Sequence, residues 1–299
     1  MRIDRRDFIK LLGFGSAVLV LGPHRIAGAA EKEGQEDFFF IQLSDTHWGF
    51  NDPKFNPDAT GTLKKAIAAA VNSMKSQPDF VVFTGDITHT TDDQKERRKR
   101  MSEARDIIRG LKVKNIKFLA GEHDAGLDNG HAFQEVFGKL HYIFDYKGVH
   151  FIIVDNVSDP TSSIGDAQLQ WLGEELKKLD KDARIVILTH RPLFDLYPQW
   201  DWWTRDGAKA IDLLTPYKNV TVLFGHIHQE YHKMTGNIPH HAAKGLMFPL
   251  PAPGSVPKRA PIPWDPAEPY KGLGYRGIQT RLKTAEYLLT EYLLPVKKG

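Results

Sequence analysis

The sequence predicts an α/β fold in which buried sheet strands are covered by helices. Two patterns carry that expectation: short, continuous apolar runs recur along the chain, and segments of helical periodicity lie between them. With 299 residues, the chain is long enough to bury one sizeable core.

Residues 38–43 form the first continuous apolar run and read as a buried strand. Residues 61–75 are Ala-rich with helical spacing and predict a helix. Residues 80–83, entered from the turn pair Pro78-Asp79, predict a second buried strand. Residues 93–111 are strongly charged, with Ile107, Ile108 and Leu111 spaced for one face, and predict a solvated helix. A short strand is expected at 117–120, and a hairpin over 142–146 and 149–155 about Lys147-Gly148. Asp166 is expected to cap a helix over 167–179 that buries Leu169, Leu172 and Leu176. Residues 184–188 and 220–224 predict two more buried strands, separated by an aromatic loop at 197–203 and a short helix at 207–214. Beyond Met247 the chain is rich in Pro and Gly; irregular structure and edge strands are expected to complete the same domain. No internal repeat or low-complexity linker divides residues 37–299, which read as one domain.

The first 30 residues read differently. Arg2, Arg5, Arg6, Lys10 and Arg25 outnumber Asp4 and Asp7 there, and that excess equals the formal charge of +3 of the whole chain. The remainder is therefore near neutral and carries no strong nucleic-acid signal, which needs a clustered basic face. A basic start, an apolar run at 11–21 and Ala27-Gly28-Ala29 describe a secretory signal peptide over residues 1–30. The paired arginines before Phe8 resemble a twin-arginine export signal. The apolar run is short for a membrane anchor and no other segment is apolar enough, so no stable membrane span is expected after signal removal. The expected partner is the twin-arginine export machinery, which carries folded proteins, and the expected location is periplasmic or extracellular. Cysteine is absent, which excludes disulfides, thiolate zinc sites and iron–sulfur clusters. Any metal must be held by imidazole and carboxylate.

Such residues recur just after the expected strands. Asp45 and His47 follow the first, Asp86 the second, and Glu122, His123 and Asp124 the third. His190 follows the run at 184–188, and His226 and His228 follow the last. In open α/β sheets, ligand sites form outside the carboxyl ends of the strands, so five strand ends are expected to deliver these groups to one edge. A lone Asp-x-His or Gly-Asp is common by chance; five pieces in order are specific. Imidazole with carboxylate suits Fe, Mn, Zn or Ni rather than Ca.

The series Asp45-x-His47, Gly85-Asp86, Gly121-Glu122-His123-Asp124, His190 and Gly225-His226-x-His228 resembles the calcineurin-like metallophosphoesterase family. Supporting stretches are Phe144-Asp145-Tyr146-x-Gly148-Val149-His150-Phe151, Gln168-x-x-Trp171-Leu172 and Thr189-His190-Arg191-Pro192, and the likeness covers about residues 37–230. It implies a two-sheet β-sandwich flanked by helices that hydrolyses small phosphate esters, diesters or monoesters, with two metal ions, Fe, Mn or Zn. Asp45, His47 and His228 would hold the first metal, Asp86 would bridge both, and Glu122, His190 and His226 would hold the second. A hydroxide held between them would be the nucleophile and His123 the general acid, oriented by Asp124 or Asp45. The alternative is a non-catalytic metal-binding or partner-binding module on the same fold, against which the retained His123 speaks.

One position departs from the family's motif, which usually has Asn where Glu122 stands. The extra carboxylate would bring a site of two divalent ions, two aspartates and a hydroxide from about +1 to near zero, favouring a trivalent ion or singly charged diesters. The resemblance also speaks against purple acid phosphatases, which place a Tyr ligand where this chain has His89 and lack the imidazole of His47. His89 either points into the site or lies on the loop. Tyr197, Trp200, Trp202 and Trp203 either wall the leaving group or pack on the domain or a second subunit. His240 and His241 either line the opposite rim or sit on a solvated loop. Arg191 either contacts phosphate or shapes the turn before Pro192.

Overall fold

The computed structural model describes residues 15–21, 36–72 and 77–294; the paired arginines and Ala27-Gly28-Ala29 lie outside them. Two mixed sheets of six strands each are formed among the described residues. The first contains β1 (Gly15–Leu21), β2 (Phe39–Leu43), β3 (Phe80–Thr84), β4 (Ile116–Leu119) and two late strands, β11 (Gly274–Arg281) and β12 (Glu286–Leu293). Its order is β1-β12-β11-β2-β3-β4, with β2, β3 and β4 parallel. The second is built from β5 (Tyr142–Tyr146), β6 (Val149–Ile153), β7 (Arg184–Leu188), β8 (Asn219–Phe224), β9 (Tyr231–Thr235) and β10 (Ile238–Ala242). Its order is β5-β6-β7-β8-β10-β9, with β6, β7, β8 and β10 parallel.

The apolar runs are continuous because both faces of these strands are covered. Side chains alternate along each strand, so Phe40, Phe80, Val82, Phe151, Val186, Leu188 and Ile278 fill the space between the sheets. Within it Phe40 stacks on Phe80 at 4.7 Å between ring centres. Residues one step along, Ile41, Val81 and Phe83, face outward and pack against Leu63 and Ala66 of α1 (Ala59–Asn72) and Met101 and Ile108 of α2 (Gln94–Ile108). On the other outer face, Ile152, Ile185 and Ile187 pack against α5 (Asp166–Lys177) and α6 (Gly207–Leu214), chiefly through Leu172, Leu176 and Leu214. Each buried Leu, Ile or Phe contributes roughly 1.5–3 kcal/mol relative to exposure. The sandwich flanked by helices is therefore the expected architecture.

Several local expectations are corrected. Asp166 does not cap α5. Gly165 precedes that helix; the carboxylate of Asp206 accepts from Ile164 N (2.8 Å) and Gly165 N (2.9 Å), leaving Asp166 to pair with Lys209 on the surface. Two helices unforeseen in the sequence, α3 (Glu122–Ala125) and α4 (His131–Phe137), follow β4. The hairpin of β9 and β10 was also unforeseen; Gly236, with φ +60°, lies between its strands. Part of the apolar run read as the signal core, Gly15–Leu21, pairs antiparallel with β12 as the edge strand of the first sheet. Among the described residues, no helix is long and apolar enough to cross a membrane.

Candidate metal centre

The parallel strands β2, β3, β4, β7 and β8 all end at one rim, and the chain leaves each through a short polar loop. These loops are tied to one another by backbone bonds. Asp45 N donates to Gly85 O (3.1 Å), His47 N to Asp86 O (2.8 Å), and Gly225 N to His190 O (3.0 Å). His226 N donates to the Asp45 carboxylate (3.1 Å), joining the two sheets. Five of the seven expected ligands sit in the left-handed region: Asp45 at φ 54°, His47 at 40°, Asp86 at 48°, His226 at 66° and His228 at 54°. Asp and His tolerate that region better than most residues, yet each such position stores on the order of 1–3 kcal/mol of strain. The strained turns swing the side chains inward. Gly85, with φ +90°, is required for a second reason: a Cβ there would lie 2.2 Å from His190 Nδ1.

The inward groups form two sets that share one residue. Asp45, His47, Asp86 and His228 bring their donor atoms within 4.8 Å of one another, and so do Asp86, Glu122, His190 and His226. In the first set His228 Nε2 is 3.2 Å from His47 Nε2 and 3.3 Å from Asp45 Oδ1, and His47 Nε2 is 3.5 Å from Asp86 Oδ2. In the second, His190 Nε2 is 2.9 Å from Glu122 Oε2 and 3.4 Å from Asp86 Oδ2, while His226 Nδ1 is 3.0 Å from Glu122 Oε1.

The far nitrogens of three imidazoles face main-chain acceptors. His190 Nδ1 lies 2.8 Å from Thr84 O, His228 Nδ1 2.6 Å from Phe248 O, and His226 Nε2 2.9 Å from Asp201 O. A carbonyl oxygen only accepts, so these nitrogens carry the protons and the lone pairs point inward. Lone pairs of His190 and Glu122 then confront each other at 2.9 Å. Glu122 Oε2, His190 Nε2 and His226 Nδ1 are buried without a hydrogen-bond partner. That arrangement needs a cation, a proton at the least, between them; against burial, Asp86 and Glu122 hold the His190 imidazole well above its ordinary range. Burial and Glu122 push the Asp86 carboxyl up, but the imidazoles of His190, His123 and His47 outweigh them and hold it far below the carboxylate range. The donor sets fit two metal ions sharing Asp86.

A profile of calcineurin-like phosphoesterases matches residues 40–230, a span that includes all seven of these groups. The chain belongs to the calcineurin-like phosphoesterase family. Similar curated proteins include a serine/threonine-protein phosphatase, CPPED1, of Danio rerio, 23% identical over 224 residues covering 67% of this chain and 72% of that one. A probable cyclic nucleotide phosphodiesterase of Rhodococcus erythropolis is 24% identical over 225 residues, 70% of this chain and 71% of that one. Among solved structures, a dimetal phosphatase from Danio rerio shares the fold with a TM-score of 0.54 at 14% identity, covering 81% of this chain and 92% of its own. The chain is a metal-dependent phosphoesterase.

The remaining groups of this phosphoesterase site separate into those the cavity uses and those it does not. His123 faces the cavity, with Nε2 3.9 Å from Asp86 Oδ2. Its Nδ1 contacts the Thr90 hydroxyl and lies 3.3 Å from Thr90 N, which holds the ring with Nε2 facing the cavity. Asp124 does not touch that imidazole, contrary to expectation. Its carboxylate accepts from Ile87 N (2.9 Å), Thr88 N (2.8 Å), Thr88 Oγ1 (2.8 Å) and Gly121 N (3.0 Å). It ties the loop after β3 to the start of α3, and burial followed by Asp86 lifts its carboxyl to about 6. Asp45 binds His226 N and faces His228 Nε2, so the group against His123 Nδ1 is Thr90, which sequence reasoning missed.

His89 points into the cavity. Its ring stacks on His123 (4.9 Å, 22°), and its Nδ1 lies 3.3 Å from His47 Nδ1. Burial, then His123, lowers its pKa to about 4, so at neutral pH it is uncharged and can accept the His47 proton. Arg191 is buried away from the cavity: it binds Asp201 through the carbonyl (3.1 Å) and the carboxylate, and lies 3.8 Å from Glu122 Oε2. Trp200 and Trp202 belong to a buried cluster with Phe224 and Met247 rather than to a wall over the leaving group. The aromatic faces of the cavity are Phe50 and Phe248 instead, and Phe248 stacks on His228 at 4.7 Å. His240 and His241 lie on neither rim nor solvated loop. Both are buried in β10, facing Thr235 and His232.

Proposed function

We propose that this phosphoesterase hydrolyses small phosphate esters through a dinuclear centre, with Asp45, His47 and His228 on one metal, Glu122, His190 and His226 on the other, and Asp86 shared. The observation that carries the reading is Asp86 Oδ2, placed 3.5 Å from His47 Nε2 and 3.4 Å from His190 Nε2. Imidazole and carboxylate donors suit Fe, Mn or Zn. Such ions, when bound, polarise phosphate oxygens and lower the pKa of bound water toward neutrality. The chain's own residues supply the rest. His123, as the imidazolium, would give its Nε2 proton to the leaving oxygen and keep the Nδ1 proton, a general-acid role worth roughly 10²–10⁴-fold, and the Thr90 hydroxyl is placed to accept from Nδ1. Phe50 and Phe248 exclude water beside it. Glu122 favours a trivalent ion in its own position, or singly charged diesters.

The test is turnover of bis-p-nitrophenyl phosphate and p-nitrophenyl phosphate with added Mn²⁺, alongside metal analysis of the purified protein. Metal-dependent turnover that disappears in Asp86→Asn is expected. Bound metal with no turnover of either ester would replace this reading with a non-catalytic binding module. A Glu122→Asn variant with unchanged metal content and unchanged monoester-to-diester ratio would remove the charge argument.

The leader extends the proposal: the chain is exported folded by the twin-arginine route and releases phosphate from external esters. Residues 1–30 fused to a reporter should direct export, and replacing Arg5 and Arg6 with Lys should stop it. Export indifferent to that change would sink the assignment.

A further inference from the structure

The cavity above the two ligand sets has a volume of about 210 Å³, and part of its lining comes from a segment outside the family match. Arg259, Ala260 and Pro261 contribute to it, together with Phe50, Phe248 and Leu250. The segment is built to hold its shape. Eight prolines lie between positions 249 and 269, and each fixes its own φ, so little backbone freedom is left to lose. Ile262 N donates to Pro249 O (2.9 Å) and Trp264 N to Lys54 O (2.8 Å). Gln229 Nε2 donates to Leu250 O (3.0 Å). Arg259 is thus carried to the cavity on a tethered, stiff strap.

Its charge is not spent inside the protein. Two other arginines near the site are committed elsewhere: Arg191 to Asp201 and Glu122, and Arg100 to Glu96 and the His89 carbonyl. Arg259 is half-buried, yet it makes no hydrogen bond or ion pair with any described residue. Asp86 and Glu122 line the same cavity, and neither pairs with it. A cation placed in a concave site without a carboxylate partner is an anion receptor. Arg259 pairs with none of the ligand carboxylates and reaches the cavity on the strap beside Ala260 and Pro261 rather than from a ligand loop, so the anion assigned to it is a second one, apart from the phosphoryl group gathered at the ligand sets.

We infer that Arg259 is a specificity residue that holds a second anionic group in the organic part of the substrate. The substrate class is then a phosphate ester whose apolar portion lies against Phe50, Phe248 and Leu250, and whose far end carries a carboxylate or a further phosphate. This rests on the phosphoesterase reading above and deepens it.

The experiment compares aryl phosphates and their methyl diesters bearing hydrogen, carboxylate or phosphonate at the para position of the ring. The full-length protein is loaded with Mn²⁺. In whichever ester series the wild type turns over, kcat/KM should favour the charged rings. Arg259→Gln should cut that charged-to-neutral ratio roughly ten- to a hundredfold, the usual worth of a hydrogen bond to an ion, chiefly through KM. Arg259→Lys should restore part of it, and unchanged thermal melting of both variants shows that the strap is intact. The carboxylate and phosphonate arms show which anion is preferred. A wild type without preference for charged rings overturns the inference, and so does a ratio that Arg259→Gln leaves unchanged. Absence of turnover in every arm, wild type included, counts instead against the phosphoesterase reading and takes the inference down with it.

Discussion

Arg191 and Glu122 form the pair whose removal is most informative. Glu122 stands where the family usually has Asn, so this chain carries one extra negative charge beside Asp86. The Arg191 guanidinium lies 3.8 Å from Glu122 Oε2 and is almost fully buried. Two unit charges at that separation attract by about 4 kcal/mol in an effective dielectric near ~20. Asp201 shares the same guanidinium, so the coupling expected between Arg191 and Glu122 is about 2–4 kcal/mol. The assay is a double-mutant cycle by urea unfolding of metal-stripped protein: wild type, Arg191→Ala, Glu122→Asn and the double variant. Arg191→Ala alone leaves Glu122 beside Asp86 with only the His190 and His226 imidazoles to offset it and loosens Asp201, whose carbonyl also anchors His226. The double variant should therefore be less destabilised than the sum of the singles. A coupling under about 0.5 kcal/mol, the ordinary error of additivity, would refute the reasoning and make Arg191 a residue that only braces the turn before Pro192.

Three further outcomes are expected. His89→Phe keeps a ring against His123 but removes the acceptor for His47 Nδ1; metal affinity at the first set should fall roughly 10–100-fold, as for other outer partners of ligating histidines, with His89→Asn recovering part, read by metal titration with the fold checked by circular dichroism. Gly85→Ala places a methyl 2.2 Å from His190 Nδ1 at φ +90°, so the second set should lose its metal while the first keeps one, visible as a halved metal stoichiometry. His240 is buried and neutral, its pKa lowered by desolvation from 6.5 to about 4. Below pH 6.5 the unfolded chain binds a proton that the folded chain refuses, so stability is full above 6.5 and is lost as pH falls to 4, by up to about 3 kcal/mol. His240→Phe should flatten that part of the melting-temperature profile, and an unchanged slope would show that other groups carry it.

Legibility followed the range of the interactions. The apolar runs that became β2, β3, β7 and β8 were readable because a strand covered on both faces is apolar along most of its length, and the exceptions, such as Gln42 bound to the Phe224 carbonyl, are few. The β9–β10 hairpin was not: β10 is fully buried, yet it reads Ile238-Pro239-His240-His241-Ala242, with its histidines facing Thr235 and His232. Polar residues can be buried when a partner satisfies them, and that partner comes from another strand. Asp166 illustrates the same limit at a helix start: Asp206, 40 positions along the chain from it, binds the Ile164 and Gly165 amides just before the helix, while Asp166 pairs with Lys209 and no described side chain caps the helix.

What the sequence determined alone is the identity of the inward groups. Asp and His after buried strands, beside glycines, are a local consequence of strands that must end and of turns that few residues tolerate. Tertiary structure alone decided what surrounds them. It spent Asp124 on backbone amides, turned His89 inward, paired Arg191 with Glu122, buried Trp200 and Trp202, and brought Arg259 to the cavity from beyond the family match. These assignments depend on distances between segments far apart in the chain, and a hydrogen bond or ion pair is set by ångströms of separation that no spacing along the sequence encodes.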